Sequence, residues 1–182
     1  SKTKKIKSKW LDKLCKDIAQ LHKSSKIIIV CSGAIALGSK SISKSSLRKL
    51  EDKQAAASIG QIELAYQWRT KLKKYKINVS QILLTLEDSE TRRRYLNARN
   101  TISSLQNRNI IPIINENDTV ATEEIRYGDN DKLAARVAQM IGADLLVLLS
   151  DVDGLYDNNP KKVSDAKKIS EVFKIDRKIE NL

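Results

Sequence analysis

Leu11, Leu14, Ile18 and Leu21 recur three and four residues apart, the spacing that lines one face of a helix. With Ser8 as a candidate cap, they predict a helix over roughly 9 to 23. KIIIVC, 26 to 31, is a short β-branched apolar run and reads as a strand buried on both faces. A helical stretch follows over roughly 48 to 76, where Ala55, Ala56 and Gly60 would let another element pack closely. VSQILLT (79 to 85) reads as strand, 90 to 108 as helix, IIPIIN (110 to 115) as strand, 130 to 141 as helix and DLLVLLS (144 to 150) as strand. Four apolar strands separated by helices of crossover length predict an α/β fold: a mostly parallel sheet covered by helices on both faces.

Composition narrows the class without changing the fold. The chain has 182 residues, 41% of them apolar, enough to bury a core and to argue against global disorder. Cys15 and Cys31 lack CxxC or metal-ligand spacing, which points to a reducing compartment. No apolar run reaches membrane-spanning length, and the Lys-rich start SKTKKIKSK leads into a polar-faced helix rather than a signal-peptide core. The chain therefore reads as soluble and cytoplasmic, with no membrane partner. The formal net charge of +12 raises the alternative of a basic nucleic-acid-binding module, but aromatics are only 4% of residues and do not interleave with the lysines, so no stacking platform is evident. Most of this charge reads as solvated helix surface.

In open α/β sheets the ligand lies beyond the carboxyl ends of the strands, and those exits hold the unusual residues here. CSGAIALGSK places Gly33 and Gly38 around four residues, but Ser39 precedes Lys40, the reverse of a Walker loop. Ser32, Gly33 and Ala34 would offer backbone N–H groups and a hydroxyl at a helix start, a seat for a carboxylate or phosphate; the plain alternative is a tight turn with Gly33 for steric relief. INENDTVATEEIRYGDND, 114 to 131, gathers Glu116, Asp118, Glu123, Glu124, Asp129 and Asp131 among Asn115, Asn117 and Asn130. Such a set coordinates a hard cation, holds an ammonium or hydroxyls of a substrate, or caps helices and turns, as Asp129 would before the helix at 130. An EF-hand order is absent. Asn115, Asn117 and Asp118 after one strand, with Asn130 and Asp131 at the next helix, suggest a grip on a zwitterion, carboxylate for the ammonium and amide for the acid. In DVDGLYDNNP, Ser150 and Asp151 precede an Asp153-Gly154 turn, and Tyr156 follows; the segment suits a nucleotide's sugar and base, though a DG turn alone is common.

CSGAIALG, KQAAASIGQ, RRRYLNARNT, IIPIINENDTVATEEIRYGDND and GADLLVLLSDVDGLYDNNP, in this order, resemble the amino acid kinase family, most closely its glutamate-phosphorylating members, from about residue 8 to 175. The resemblance implies transfer of phosphate from ATP, with Mg²⁺, to the side-chain carboxylate of L-glutamate, giving L-glutamyl 5-phosphate in the first step of proline biosynthesis. It implies that Ser32, Gly33, Ala34, Asp118 and Asn130 bind substrate, that Asp131 orients two catalytic lysines, and that Ser150 and Asp151 bind the nucleotide, to which the reading of the DG segment adds Tyr156. No residue is assigned to a metal. It further implies a homo-oligomer, dimer or tetramer, with proline as a feedback inhibitor. Cys31 stands where such proteins usually carry a small hydroxyl residue. The expected domain is one amino acid kinase domain over 1–182, incomplete at both ends: it lacks the family's first strand with its lysine and the C-terminal Gly-rich segment with the second, so the segment alone is expected to be inactive. The competing readings are a family relative acting on N-acetylglutamate, aspartate or uridylate, or the basic nucleic-acid module.

Overall fold

The computed structural model describes residues 7–42, 49–120, 129–150 and 152–180, and divides into two compact units, Ser1–Leu146 and Val147–Leu182. The first unit holds, in order, α1 (Ser8–Leu21), β1 (Ile29–Val30), α2 (Ala34–Gly38), α3 (Leu50–Lys73), β2 (Asn78–Leu84), α4 (Leu86–Glu90), α5 (Arg92–Gln106), β3 (Ile110–Glu116) and α6 (Asp129–Ile141). The second holds an antiparallel pair, β4 (Leu155–Tyr156) and β5 (Lys168–Ile169), followed by α7 (Arg177–Glu180). Among the described residues no helix is long and apolar enough to cross a membrane.

The three strands of the first unit pair in the order β1-β3-β2, all parallel. Alternation along β3 sends Ile111 and Ile113 into one core, with Leu11, Cys15 and Ile18 of α1 and Leu64, Trp68 and Leu72 of α3. Ile114 enters the other, with Ile102 of α5 and Leu133, Val137 and Met140 of α6. The expected run 26–31 divides the same way, Ile27, Ile29 and Cys31 to the first core and Ile28 and Val30 to the second. The parallel sheet covered on both faces is therefore present. The chain crosses from β1 over β3 to β2 through α3, then returns to β3 through α5. Reversing direction at constant hand requires the opposite face, and α3 and α5 do lie in opposite cores.

Two strands differ from expectation. β1 spans only Ile29–Val30 because of its neighbour. The Cys31 N–H donates to the Ile114 carbonyl, so the backbone groups of Ile114, and two residues earlier of Pro112, face β1. Pro112 has no N–H, and the bond that would extend the ladder back to Ile27 is the one it cannot make. Leu145 to Leu149, expected as a strand, have no ladder partner among the described residues and are exposed. β-branched and apolar residues favour a strand, but only a neighbouring backbone makes one.

Helix boundaries differ for local reasons. Ser8 is the first residue of α1 rather than its cap, since its hydroxyl accepts from the buried Lys71 ammonium at 2.9 Å. The helix expected near 90–108 is α5, Arg92–Gln106; ahead of it a capping box between Thr85 and Asp88 starts the short α4, and Thr91, extended at φ −80° and ψ 112°, separates the two. α6 begins at Asp129, which is thus inside the helix.

Candidate functional site

The carboxyl ends of β1 and β3 lie side by side, Val30 opposite Ile114, and the chain leaves them toward opposite faces: α2 joins the first core and α6 the second. A crevice opens where neighbouring strands send their connections to opposite faces. By that rule Ser32 and Gly33 form one lip of the expected crevice and Asn115 to Asp118 the other.

The first lip is a turn fixed by close packing. Gly33 takes φ +107°, a conformation costly for any residue with a side chain, and so turns the chain from β1 into α2. Ala34 is buried while Ser32 and Gly33 are exposed. α2 then presses on α3 so closely that a Cβ at Gly60 would collide with the Ala34 carbonyl oxygen, and one at Gly38 with that of Ala56. Backbone on backbone is reached only because both positions are glycine, as the small residues in KQAAASIGQ suggested.

The second lip is carried by β3. Asn115 is 2% exposed, and its Nδ2 donates to Gln61 Oε1 of α3 at 2.8 Å. Its Oδ1 is buried with no protein partner, an arrangement proteins rarely leave without a ligand or water. The chain then turns: the Asn117 N–H donates to the Leu84 carbonyl at 2.8 Å, tying the loop to the end of β2, and Asp118 is buried to 8%. Asp118 lines a cavity of about 200 Å³ with Ser58 and Gln61 of α3, Gln81 and Leu83 of β2, and Glu116 and Thr119. α3 is therefore the common wall: Gly60 seats the Ser32–Ala34 turn, and Gln61 holds Asn115 beside Asp118.

α6 packs on both β1 and β3. Its first turns lie at this end of the sheet, because Lys132 shares a second cavity of about 340 Å³ with Leu86 and Glu90 of α4, just past β2. Asn130 is half-buried and its Oδ1 has no protein partner, whereas Asp131 is exposed. Ser32, Gly33, Ala34, Asp118, Asn130 and Asp131 thus all occupy the carboxyl-end rim. Glu123 and Glu124 lie outside the described residues. Gln61 was not singled out as a site residue from the sequence, whereas Asn115 was, as one of the amides of the zwitterion grip. The signal for Gln61 was a polar residue flanked by Gly60 and Ile62 in the closely packed part of α3, and for Asn115 an amide at the end of a strand otherwise apolar.

In the second unit, Ser150 Oγ accepts from the Val152 N–H at 3.5 Å, and Asp151 lies outside the described residues. The Tyr156 hydroxyl donates to Asp153 Oδ1 and Lys168 Nζ donates to Asp153 Oδ2, both at 2.8 Å. The lysine bond, then the tyrosine bond, hold the Asp153 carboxyl below its usual range; the same contacts raise the Tyr156 phenol and Lys168 ammonium. The triad fastens the DG turn across the β4-β5 pair and leaves the Tyr156 ring, not its hydroxyl, for a further contact. Among the described residues no three His, Cys, Asp or Glu side chains gather to hold a metal ion.

A family model described as the amino acid kinase family matches residues 1–177. A glutamate 5-kinase of Pelagibacter ubique is 57% identical over 182 residues, covering 98% of this chain and 49% of that relative. Glutamate 5-kinases of Paramagnetospirillum magneticum and Agrobacterium fabrum are 52% and 57% identical over 179 and 177 residues, covering 98% and 96% of this chain and 48% and 46% of those proteins. The chain spans about half the length of the curated relatives it matches.

Proposed function

The chain belongs to the amino acid kinase family, and from that premise we propose that the complete protein transfers the γ-phosphoryl group of ATP to the side-chain carboxylate of L-glutamate, giving L-glutamyl 5-phosphate and ADP. The observation that carries the reading is the pairing of β1 with β3, which brings the Ser32–Ala34 turn and the buried Asn115 and Asp118 to one end of the sheet. An amino diacid needs an anion seat and an ammonium grip at fixed separation. The Ser32–Ala34 turn and the Asn130 amide serve as the first, and Asp118 as the second.

A carboxylate is ionised and nucleophilic at neutral pH, so the reaction needs no general base. One of its oxygens forms a bond to the γ-phosphorus as the bond from that phosphorus to the β,γ-bridging oxygen breaks, and the electron pair leaves on ADP. What the protein supplies is alignment and charge compensation. Asp131, exposed at the start of α6, holds cationic groups in place rather than touching the substrate. Ser150, Asp151 and Tyr156 bind the nucleotide, which brings Mg²⁺ with it as the counter-ion of its phosphates. The two units belong to one amino acid kinase domain of a cytoplasmic protein, in keeping with two unpaired thiols. It assembles as a homo-oligomer and answers to proline as feedback inhibitor.

The test is ADP release by the complete native polypeptide with Mg-ATP and glutamate, aspartate, N-acetylglutamate or uridylate in turn. Turnover that requires glutamate is expected. Turnover with one of the other three and not with glutamate overturns the substrate, and salt-sensitive oligonucleotide binding with no turnover at all would favour the basic-module alternative.

A further inference from the structure

An asparagine amide has two ends alike in shape and opposite in hydrogen bonding, one a double donor and the other an acceptor. In solution the side chain rotates between them at little cost, so a site built on asparagine is only as selective as the contact that fixes its orientation. Asn115 is 2% exposed, at the end of β3 and two strand positions beyond Ile113, where it reaches α3. Gln61 Oε1 takes its Nδ2 donor at 2.8 Å. The Oδ1 acceptor is left buried and without a protein partner.

This polarity decides what the amide can recognise. An orphaned buried acceptor is costly to leave unpaired, and it is satisfied by a ligand N–H, above all a charged one. It repels a carboxylate. The sequence pattern alone suggested that amides would meet the substrate's acid; the orientation of Asn115 assigns this one to the amine instead.

We infer that Gln61 is a positioning residue that locks the Asn115 amide with its carbonyl oxygen toward the α-ammonium of the amino diacid, alongside Asp118. The inference rests on the glutamate-phosphorylating reading above. Gln61 itself lines the cavity that Asp118 lines, so the amide it holds lies one side chain away from the carboxylate that grips the amine.

The experiment uses the complete native polypeptide and two variants. Gln61→Met is close in shape and removes the acceptor; Gln61→Glu keeps one. For Gln61→Met the KM for L-glutamate rises about tenfold, the factor expected for one hydrogen bond of ordinary strength. Its kcat stays within about twofold and its KM for ATP is unchanged, since uniform substrate binding alone is lost. Gln61→Glu restores most of the glutamate KM. The affinity of glutarate, the same diacid without the amine, is the same in Gln61→Met and wild type. An unchanged glutamate KM in Gln61→Met, or an equal loss of glutarate affinity, overturns the assignment while leaving the glutamate reading intact. A fall in kcat and in ATP affinity together, unrescued by Gln61→Glu, overturns it as well, by exposing a merely structural role. A wild type that releases no ADP with glutamate overturns the functional reading first and this inference with it.

Discussion

Gly33 and Gly60 flank the same turn, yet glycine is required at each for a different reason. At Gly33 the surroundings are open, with nothing within 4 Å of an added Cβ, and the demand comes from the backbone alone at φ +107°. Alanine there costs roughly 1–2 kcal/mol of conformational strain. At Gly60 the backbone is helical, and the demand comes from outside, from the Ala34 carbonyl oxygen lying where a Cβ would be. Alanine there must push α2 away from α3, so the cost is at least about 3 kcal/mol, the upper part of the range for overpacking. Urea midpoints of Gly33→Ala and Gly60→Ala check this. Gly60→Ala should be the less stable by a clear margin, and equal midpoints would mean that α2 yields easily.

α1 is held to α3 by more than its apolar face. Lys71, buried in α3, donates to both Ser8 Oγ and Asp12 Oδ1 of α1 at 2.9 Å, and Lys74 reaches Asp12 at 3.4 Å. The hydrogen bond from Lys71 is the main reason the Asp12 carboxyl is held below its usual value of 3.8, against a smaller opposing effect of burial. A carboxyl with a depressed folded pKa binds its proton more weakly in the folded state than in the unfolded one. Its stabilising effect is therefore fully present above the unfolded value and is lost as pH falls through the folded one. Asp12→Asn should be less stable than wild type at about pH 7, with the gap closing below about pH 4 as wild type loses the same interaction. Chemical denaturation at the two pH values measures it, and a gap of equal size at both would show that the pairing contributes through shape and not charge. Nothing in the hydrophobic period of α1 predicted this contact, because a long-range ion pair leaves no periodic trace. The elements themselves were legible where burial leaves a continuous apolar run or a helical period, as in β3 and α1. β1 and the run from Leu145 to Leu149 were misjudged in length or kind because ladder formation depends on a partner's backbone, and the missing donor at Pro112 can be recognised only once its neighbour is known.

At the scale of the whole chain, the net charge of +12 and the acidic stretch from 114 to 131 coexist because they answer different demands. Basic side chains lie along solvated helices, whereas the carboxylates and amides gather where two strands end. The rim was legible because polar residues directly after an apolar strand have few structural uses; Gln61 was not, because a single glutamine within a helix looks the same whether it faces water or a buried amide. The same cores that seat the rim also enclose the two thiols. Burial pushes the Cys15 thiol up to about 11 and the Cys31 thiol up to about 12, the latter against a weaker opposing bond from Trp68. At about pH 8 fewer than roughly one molecule in a hundred then carries a thiolate at either position, and both sit in the core formed by α1, α3 and the sheet. Alkylation must therefore wait for that core to open. Iodoacetamide labelling of both cysteines should be slowed at least about a hundredfold relative to the unfolded chain, and its dependence on urea should coincide with loss of helical circular dichroism. Rapid labelling of Cys31 well before that transition would mean that β1, with only Ile29 and Val30 in its ladder, opens separately from the core it helps to form.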